Sequence, residues 1–171
     1  MDEKRVSETA VVTSQVMMPQ DANPEGNVHG GVIMKLIDTA AGVVARRHTR
    51  CNAVTASIDR LDFHHPVYVG DLLTLRGSIN LVGRTSIEIG VRAETEDLLT
   101  GQIRHTASAY LTFVALGSDG SPIEVPGIIM ETEEETRRNR EACDRRDLRL
   151  TEKKREKAQQ DKIAERKTLG P

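Results

Sequence analysis

The 171-residue sequence predicts an α+β fold in which a curved antiparallel sheet wraps one central helix. Two observations lead there. The stretch Gly31–Arg47 carries apolar residues round most of a helical circumference, the mark of an enclosed helix. Four strand-like segments follow it, each alternating in polarity and joined to the next by short turn chemistry.

Taken in order, Ser7–Met18 is rich in β-branched residues (Thr9, Val11, Val12, Thr13, Val16) and reads as a first strand. PQDANPEGNVHGG, from Pro19 to Gly31, holds too much Pro, Gly and Asn to be regular. The helix follows, with Val32, Ile33, Leu36, Ile37, Ala40, Ala41, Val43 and Val44 as its apolar set. Arg46, Arg47 and His48 suit the negative end of its dipole. In Ala53–Phe63 the apolar parity switches from Val54, Ala56 and Ile58 to Leu61 and Phe63, which predicts a bulge near Asp59–Arg60. Leu73–Leu81, Ile87–Ala93 and Ala107–Ala115 alternate cleanly. Turns at Val69–Asp71, Val82–Arg84, Leu98–Gly101 and Ser118–Pro122 make them antiparallel neighbours. Such a sheet has an exposed edge and a second apolar face, so a dimer at least is expected.

Charge divides the chain. Up to Met130, 11 Lys/Arg stand against 15 Asp/Glu; from Glu131 onward, 13 stand against 11 in far fewer residues. The second part cannot bury a core alone. Thr132–Glu135 is a capping box, so a helix is expected from about Thr132, but its apolar residues (Ala142, Leu148, Leu150, Ala158, Ile163) are sparse. The tail therefore reads as a solvated helix fraying into disorder, with an oligomer or partner contact as the alternative. The organisation expected is a domain over 7–126 and a charged, helical or disordered C-terminal extension over 127–171. A net charge of −2 gives no nucleic-acid footprint. No apolar run approaches the ~18 residues of a membrane span, and MDEKRVSET is followed by no apolar leader region. Cys51 and Cys143 read as free thiols of a reducing compartment, so a cytoplasmic protein is expected, without nucleic-acid or membrane partners.

Three features carry chemistry. Asp38 is the only acid in the apolar helix, and burying an unpaired carboxylate costs several kcal/mol. It is either a general base or nucleophile in a pocket, or a residue paired with Lys35 or a backbone donor where the helix emerges. The loop ending in Asn27, His29, Gly30 and Gly31 brings small residues to a helix N-terminus with free N–H groups. It can receive a substrate oxygen or serve ordinary cap chemistry. Gly83-Arg84-Thr85-Ser86 offers one guanidinium and two hydroxyls to an anionic or pantetheine-like ligand, or is simply a hairpin turn. Asp62, His64 and His65 have no further histidine at metal-ligand spacing, so no metal is expected. Phosphate-cradle and serine-nucleophile motifs are missing from the sequence.

NPEGNVHGGVIMKLIDTAAG (Asn23–Gly42), VTASIDRLDFHHPVYVGD (Val54–Asp71), VGRTSIEIGV (Val82–Val91) and AYLTFVALGSDGSPIEVP (Ala109–Pro126) occur in one order, and together they resemble the hotdog-fold acyl-CoA thioesterases. The resemblance covers the body and not the tail. It implies a long helix wrapped by an antiparallel sheet, hotdog dimers assembled as trimers of dimers, and a role in fatty-acyl metabolism. It further implies an acyl-CoA hydrolase with Asn23 and Asp38 as catalytic residues meeting across the dimer interface. His29, Gly30 and Gly31 would position the substrate, and Arg84, Thr85 and Ser86 would contact coenzyme A. No cofactor is implied, coenzyme A being part of the substrate.

On that expectation Asn23 and N–H groups near Gly30–Gly31 polarise the thioester oxygen. Asp38 then activates water or attacks to form an anhydride. A hotdog hydratase or dehydratase is the first alternative; relatives of that type carry an Asp and a His five residues apart in this loop, whereas Asp21 and His29 are eight apart. A non-catalytic acyl-CoA sensor is the second, and it would not need Asp38.

Overall fold

The computed structural model describes residues 2–168, and their side chains to Asp161; the last three positions of the expected 127–171 extension lie outside the described residues. The chain runs β1 (Lys4–Arg5), α1 (Val6–Thr9), β2 (Val11–Val16), α2 (Gly30–Thr49), β3 (Asn52–Phe63), β4 (Leu72–Val82), β5 (Ser86–Asp97), β6 (Gln102–Leu116), β7 (Ile128–Ile129) and α3 (Glu133–Thr168). Five strands form one antiparallel sheet ordered β2-β4-β5-β6-β3, which makes β2 and β3 its edges. A two-residue parallel pairing of β1 with β7 ties the N-terminus to the segment after β6.

Helix α2 lies against the inner face of the sheet. Ile33, Ile37, Ala40, Ala41, Val44 and Ala45 recur at the three-to-four spacing that makes one stripe, and all are buried. Alternate residues of the strands meet them, including Leu75, Ile79, Ile89, Val91, Leu111 and Phe113. The approach is close at Gly77, where a Cβ would stand 3.1 Å from Val44 Cγ2 and would have to push that methyl back by a few tenths of an ångström. The helix is not enclosed all round within one protomer, as its composition suggested. Met34 and Val43 remain about two-fifths exposed on its outer flanks, because one sheet covers one side only.

Two boundaries differ from the sequence reading. The first strand begins at Val11 rather than Ser7, because Glu8 turns back to accept the Arg5 N–H and winds Val6–Thr9 into a helical turn. Helix α2 runs on to Thr49 and stops at Arg50, whose φ of 56° puts it in the left-handed region. In β3 the register shifts twice against β6. One shift is the expected bulge at Asp59, and the other, between Thr55 and Ser57, is additional.

The C-terminal segment departs most from expectation. Its capping box forms as read, with Thr132 Oγ1 accepting the Glu135 N–H and Glu135 accepting the Thr132 N–H. The first half of α3 is not a solvated helix, however. It docks on the outer face of the sheet, with Ala142 fully buried, Asn139 donating to the Asn80 carbonyl at 2.7 Å and Arg145 paired with Glu88 at 2.6 Å. Apolar periodicity missed this contact because the joining residues are charged. Beyond Thr151 the described side chains are exposed, in line with the sequence reading of that part.

His48, near the end of α2, is wholly buried. Its Nε2 bonds the Pro126 carbonyl at 2.8 Å while Nδ1 has no partner among the described residues. Desolvation holds its pKa below the usual histidine value despite the Pro126 bond, and the nearby Lys4 ammonium adds to the effect. Below about pH 6.5 the unfolded chain takes a proton that the folded chain refuses, so stability should fall as pH drops from 6.5 through the lowered native value. Thermal denaturation between pH 7.5 and 5.5 should show this loss, and His48→Gln, which keeps the donor to Pro126, should flatten it.

Candidate active site

Asp38 sits on the flank of α2 that faces the edge strand β3. Its carboxylate is half-buried rather than sunk in the core, and the Thr55 hydroxyl donates to Oδ1 at 2.6 Å. Lys35 is not the partner the sequence suggested. Thr55 is the residue that sequence reading passed over, because the alternation in β3 marks it as an outward polar position. Its only signal would have been the need of a helix carboxylate for a donor on the neighbouring strand. Along this edge, which among the described residues has no strand on its outer side, Val54, Ile58 and Phe63 are each more than two-fifths exposed, Val54 next to the pair and Phe63 at the far end.

Asn23 belongs to the loop before α2. Its Oδ1 accepts the N–H groups of Glu25 at 3.0 Å and Asn27 at 3.1 Å. Because both are donors, the amide oxygen must face them, and Nδ2 is left pointing away as a donor. Gly26, with φ of +84°, closes the turn, and the Val28 N–H fixes the loop to the Val67 carbonyl at 2.8 Å. Asn23, Asn27, Gly30, Ile33, Phe63 and His64 line an open cavity of about 370 Å³.

His29 caps α2, its Nδ1 accepting the Gly31 N–H at 2.9 Å. That bond occupies Gly31, while the Gly30 N–H has no acceptor among the described residues. The expectation of two free amides thus reduces to one, facing the same cavity as Asn23. Next to it the His64 and His105 rings meet tilted at 46°, their centroids 4.8 Å apart, and desolvation first, then Arg92, holds the His105 pKa below its usual value.

A single protomer does not unite Asn23 with Asp38. Eight residues of helix separate Gly30 from Asp38, about 12 Å at 1.5 Å per residue, and the cavity lined by Asn23 does not include Asp38. Arg84, Thr85 and Ser86 lie at the far end of the sheet. Their carbonyls accept from Val125, Ala115 and Gly83, while the Arg84 side chain is exposed in the β4–β5 turn. Each half of the arrangement is thus built, and the halves are apart. Among the described residues no group of three or more His, Cys, Asp or Glu is placed to hold a metal ion.

Residues 25–102 match the thioesterase superfamily. A Bacillus subtilis protein, the uncharacterized acyl-CoA thioester hydrolase YkhA, is 38% identical over 151 residues, 88% of each chain. The crystal structure of an apo-hexameric acyl-CoA thioesterase is 36% identical with a TM-score of 0.86, covering 89% of this chain and 97% of that one. A Staphylococcus aureus acyl-CoA hydrolase, solved with butyryl coenzyme A, coenzyme A and coenzyme A disulfide, is 30% identical with a TM-score of 0.86 over 96% of this chain and 99% of that one. That hydrolase has also been solved as alanine variants of an Asn, of an Asp 15 residues later and of a Thr 17 residues further on.

The cap geometry makes His29 structural as well as adjacent to the cavity. His29→Ala should cost about 0.5–2 kcal/mol in urea denaturation, and His29→Asn, which can still accept the Gly31 N–H, should recover most of it.

Proposed function

The chain belongs to the hotdog-fold acyl-CoA thioester hydrolases, a family of enzymes, and on that premise we propose that it cleaves acyl-CoA to a carboxylic acid and coenzyme A at sites shared between two copies of itself. The observation that carries the proposal is the Asp38 carboxylate held by Thr55 at an unpaired sheet edge, away from the Asn23 donor of its own chain.

A two-fold axis at β3 brings these half-sites together. Two β3 strands paired antiparallel set the Asn52 end of one beside the Phe63 end of the other. Thr55 and Asp38 lie towards the first end, Asn23 and Gly30 towards the second, so each site takes one set from each copy. The exposed Val54, Ile58 and Phe63 would be covered by the same pairing. Arg84, Thr85 and Ser86 also lie at the Asn52 end, where they would meet the nucleotide portion of a coenzyme A whose thioester reaches the Asn23 cavity of the other copy. Further association as a trimer of dimers follows the hexameric relatives. The cytoplasm is the compartment we assign.

In the proposed reaction the thioester oxygen accepts from Asn23 Nδ2 and the Gly30 N–H. Asp38 Oδ2, left free by the Thr55 bond to Oδ1, takes a proton from water as its oxygen bonds the carbonyl carbon. Collapse of the tetrahedral intermediate breaks the carbon–sulfur bond, and the departing thiolate recovers the proton. Water is the only co-reactant, and no cofactor is needed. Asn23, Asp38 and Thr55 have the separations of the three residues varied in the Staphylococcus aureus enzyme, which supports the same trio here.

Thiol release from an acyl-CoA panel tests the reading. Asp38→Asn should lower turnover by about 10²–10⁴ with the fold intact, and Asn23→Ala by about 10²–10³. Thr55→Val should lower it by about 10–100-fold, the worth of one hydrogen bond to a charged group. Wild-type turnover in Asp38→Asn would refute the assignment.

A further inference from the structure

We infer that Arg149 on α3 is a positioning residue for the Thr55–Asp38 pair, acting through the Asp59 carboxylate at the second bulge of β3; the inference rests on the reading just proposed. Strand β3 is an edge strand, held by β6 on one side only, and it breaks register twice within a few residues. Bulges re-aim side chains but leave the extra residues without ladder bonds. Thr55 stands immediately before the first bulge. Its hydroxyl reaches Asp38 only while that stretch keeps its twist.

One carboxylate ties both bulges together. Asp59, the extra residue of the second, accepts the Ser57 hydroxyl at 2.8 Å, just past the first, and the Thr112 hydroxyl of β6 at 3.2 Å. The Asp59 side chain is only 11% exposed, so it demands a cation, and the Arg149 guanidinium supplies it while also donating to Thr112 at 2.7 Å. Arg149 is fixed in turn by the docking of the preceding turns. Arg145 pairs with Glu88 and lies 3.7 Å over the Tyr110 ring, and Asn139 holds the Asn80 carbonyl. On that reading a second copy paired along β3 restrains the strand from the side, and α3 adds a restraint from above at the two bulges, through a segment outside the stretch matching the superfamily.

The test is Arg149→Gln in the full-length, assembled enzyme, assayed well below its melting temperature beside wild type. The kcat should fall about tenfold or more, because misplacement of a reacting group is costly, and KM should change less than about twofold, because Arg149 touches no proposed substrate-binding group. Arg149→Gln strands a buried carboxylate. The double variant Asp59→Asn/Arg149→Gln, with no stranded charge, should therefore bring kcat back to within about threefold of wild type. Amide exchange should quicken over Thr55–Ile58 in the single variant and not across α2. Wild-type kcat in Arg149→Gln, or a loss that the double variant does not reverse, overturns the inference while active wild type leaves the thioesterase reading standing. Wild type inert towards every acyl-CoA overturns both.

Discussion

The unpaired edge of β3 is the constraint on which this protein's organisation depends. Edge strands are usually shielded by charge, by bulges or by a covering element, since their free backbone groups and apolar side chains recruit other chains. Here the edge carries two bulges, keeps Val54, Ile58 and Phe63 exposed, and bears towards its Asn52 end the hydroxyl that holds Asp38. In the assembly proposed here a second copy completes this edge, and the proposed chemistry needs that copy. On that proposal, half-sites at opposite ends of the same edge would couple assembly to activity without any additional device.

The two long helices pack by opposite physics. Helix α2 is held by burial of aliphatic side chains, each contributing about 1.5–3 kcal/mol for a fully covered Val, Ile or Leu. Helix α3 is held by charge and hydrogen bonds, with a single alanine at the centre of its footprint. A buried pair such as Arg145–Glu88 adds little net stability, yet stranding Glu88 would cost about 3–5 kcal/mol. Such contacts fix orientation more than they drive folding. That is the property wanted of an element whose task is to hold an irregular strand in one shape.

Much of this was legible in the sequence, and the failures share a cause. The helix, the four alternating strands, the capping box at Thr132 and the bulge at Asp59 are local patterns, and all appear in the structure. Asp38 was conspicuous because a carboxylate in an apolar helix violates local expectation. What escaped was set by tertiary contact between polar residues. Thr55 looked like an ordinary outward residue, Glu88 and Asp59 like solvated strand positions, and Arg145 and Arg149 like part of a charged tail. No periodicity marks an arginine that will be buried on a carboxylate 57 or 90 positions earlier. Cap chemistry was one of the two readings open for the His29 loop, but whether the ring points at a ligand or back at the Gly31 N–H depends on a side-chain rotation.

The central claim, that one working site is drawn from two copies, is tested most directly by mixing Asn23→Ala with Asp38→Ala subunits after unfolding and refolding them together. Each homodimer should be inactive. In a random mixture half the dimers are mixed and each holds one intact site of two, so activity should return to about a quarter of the wild-type value. Mixed dimers verified by mass and still inert would contradict the shared site and place the whole reaction within one chain.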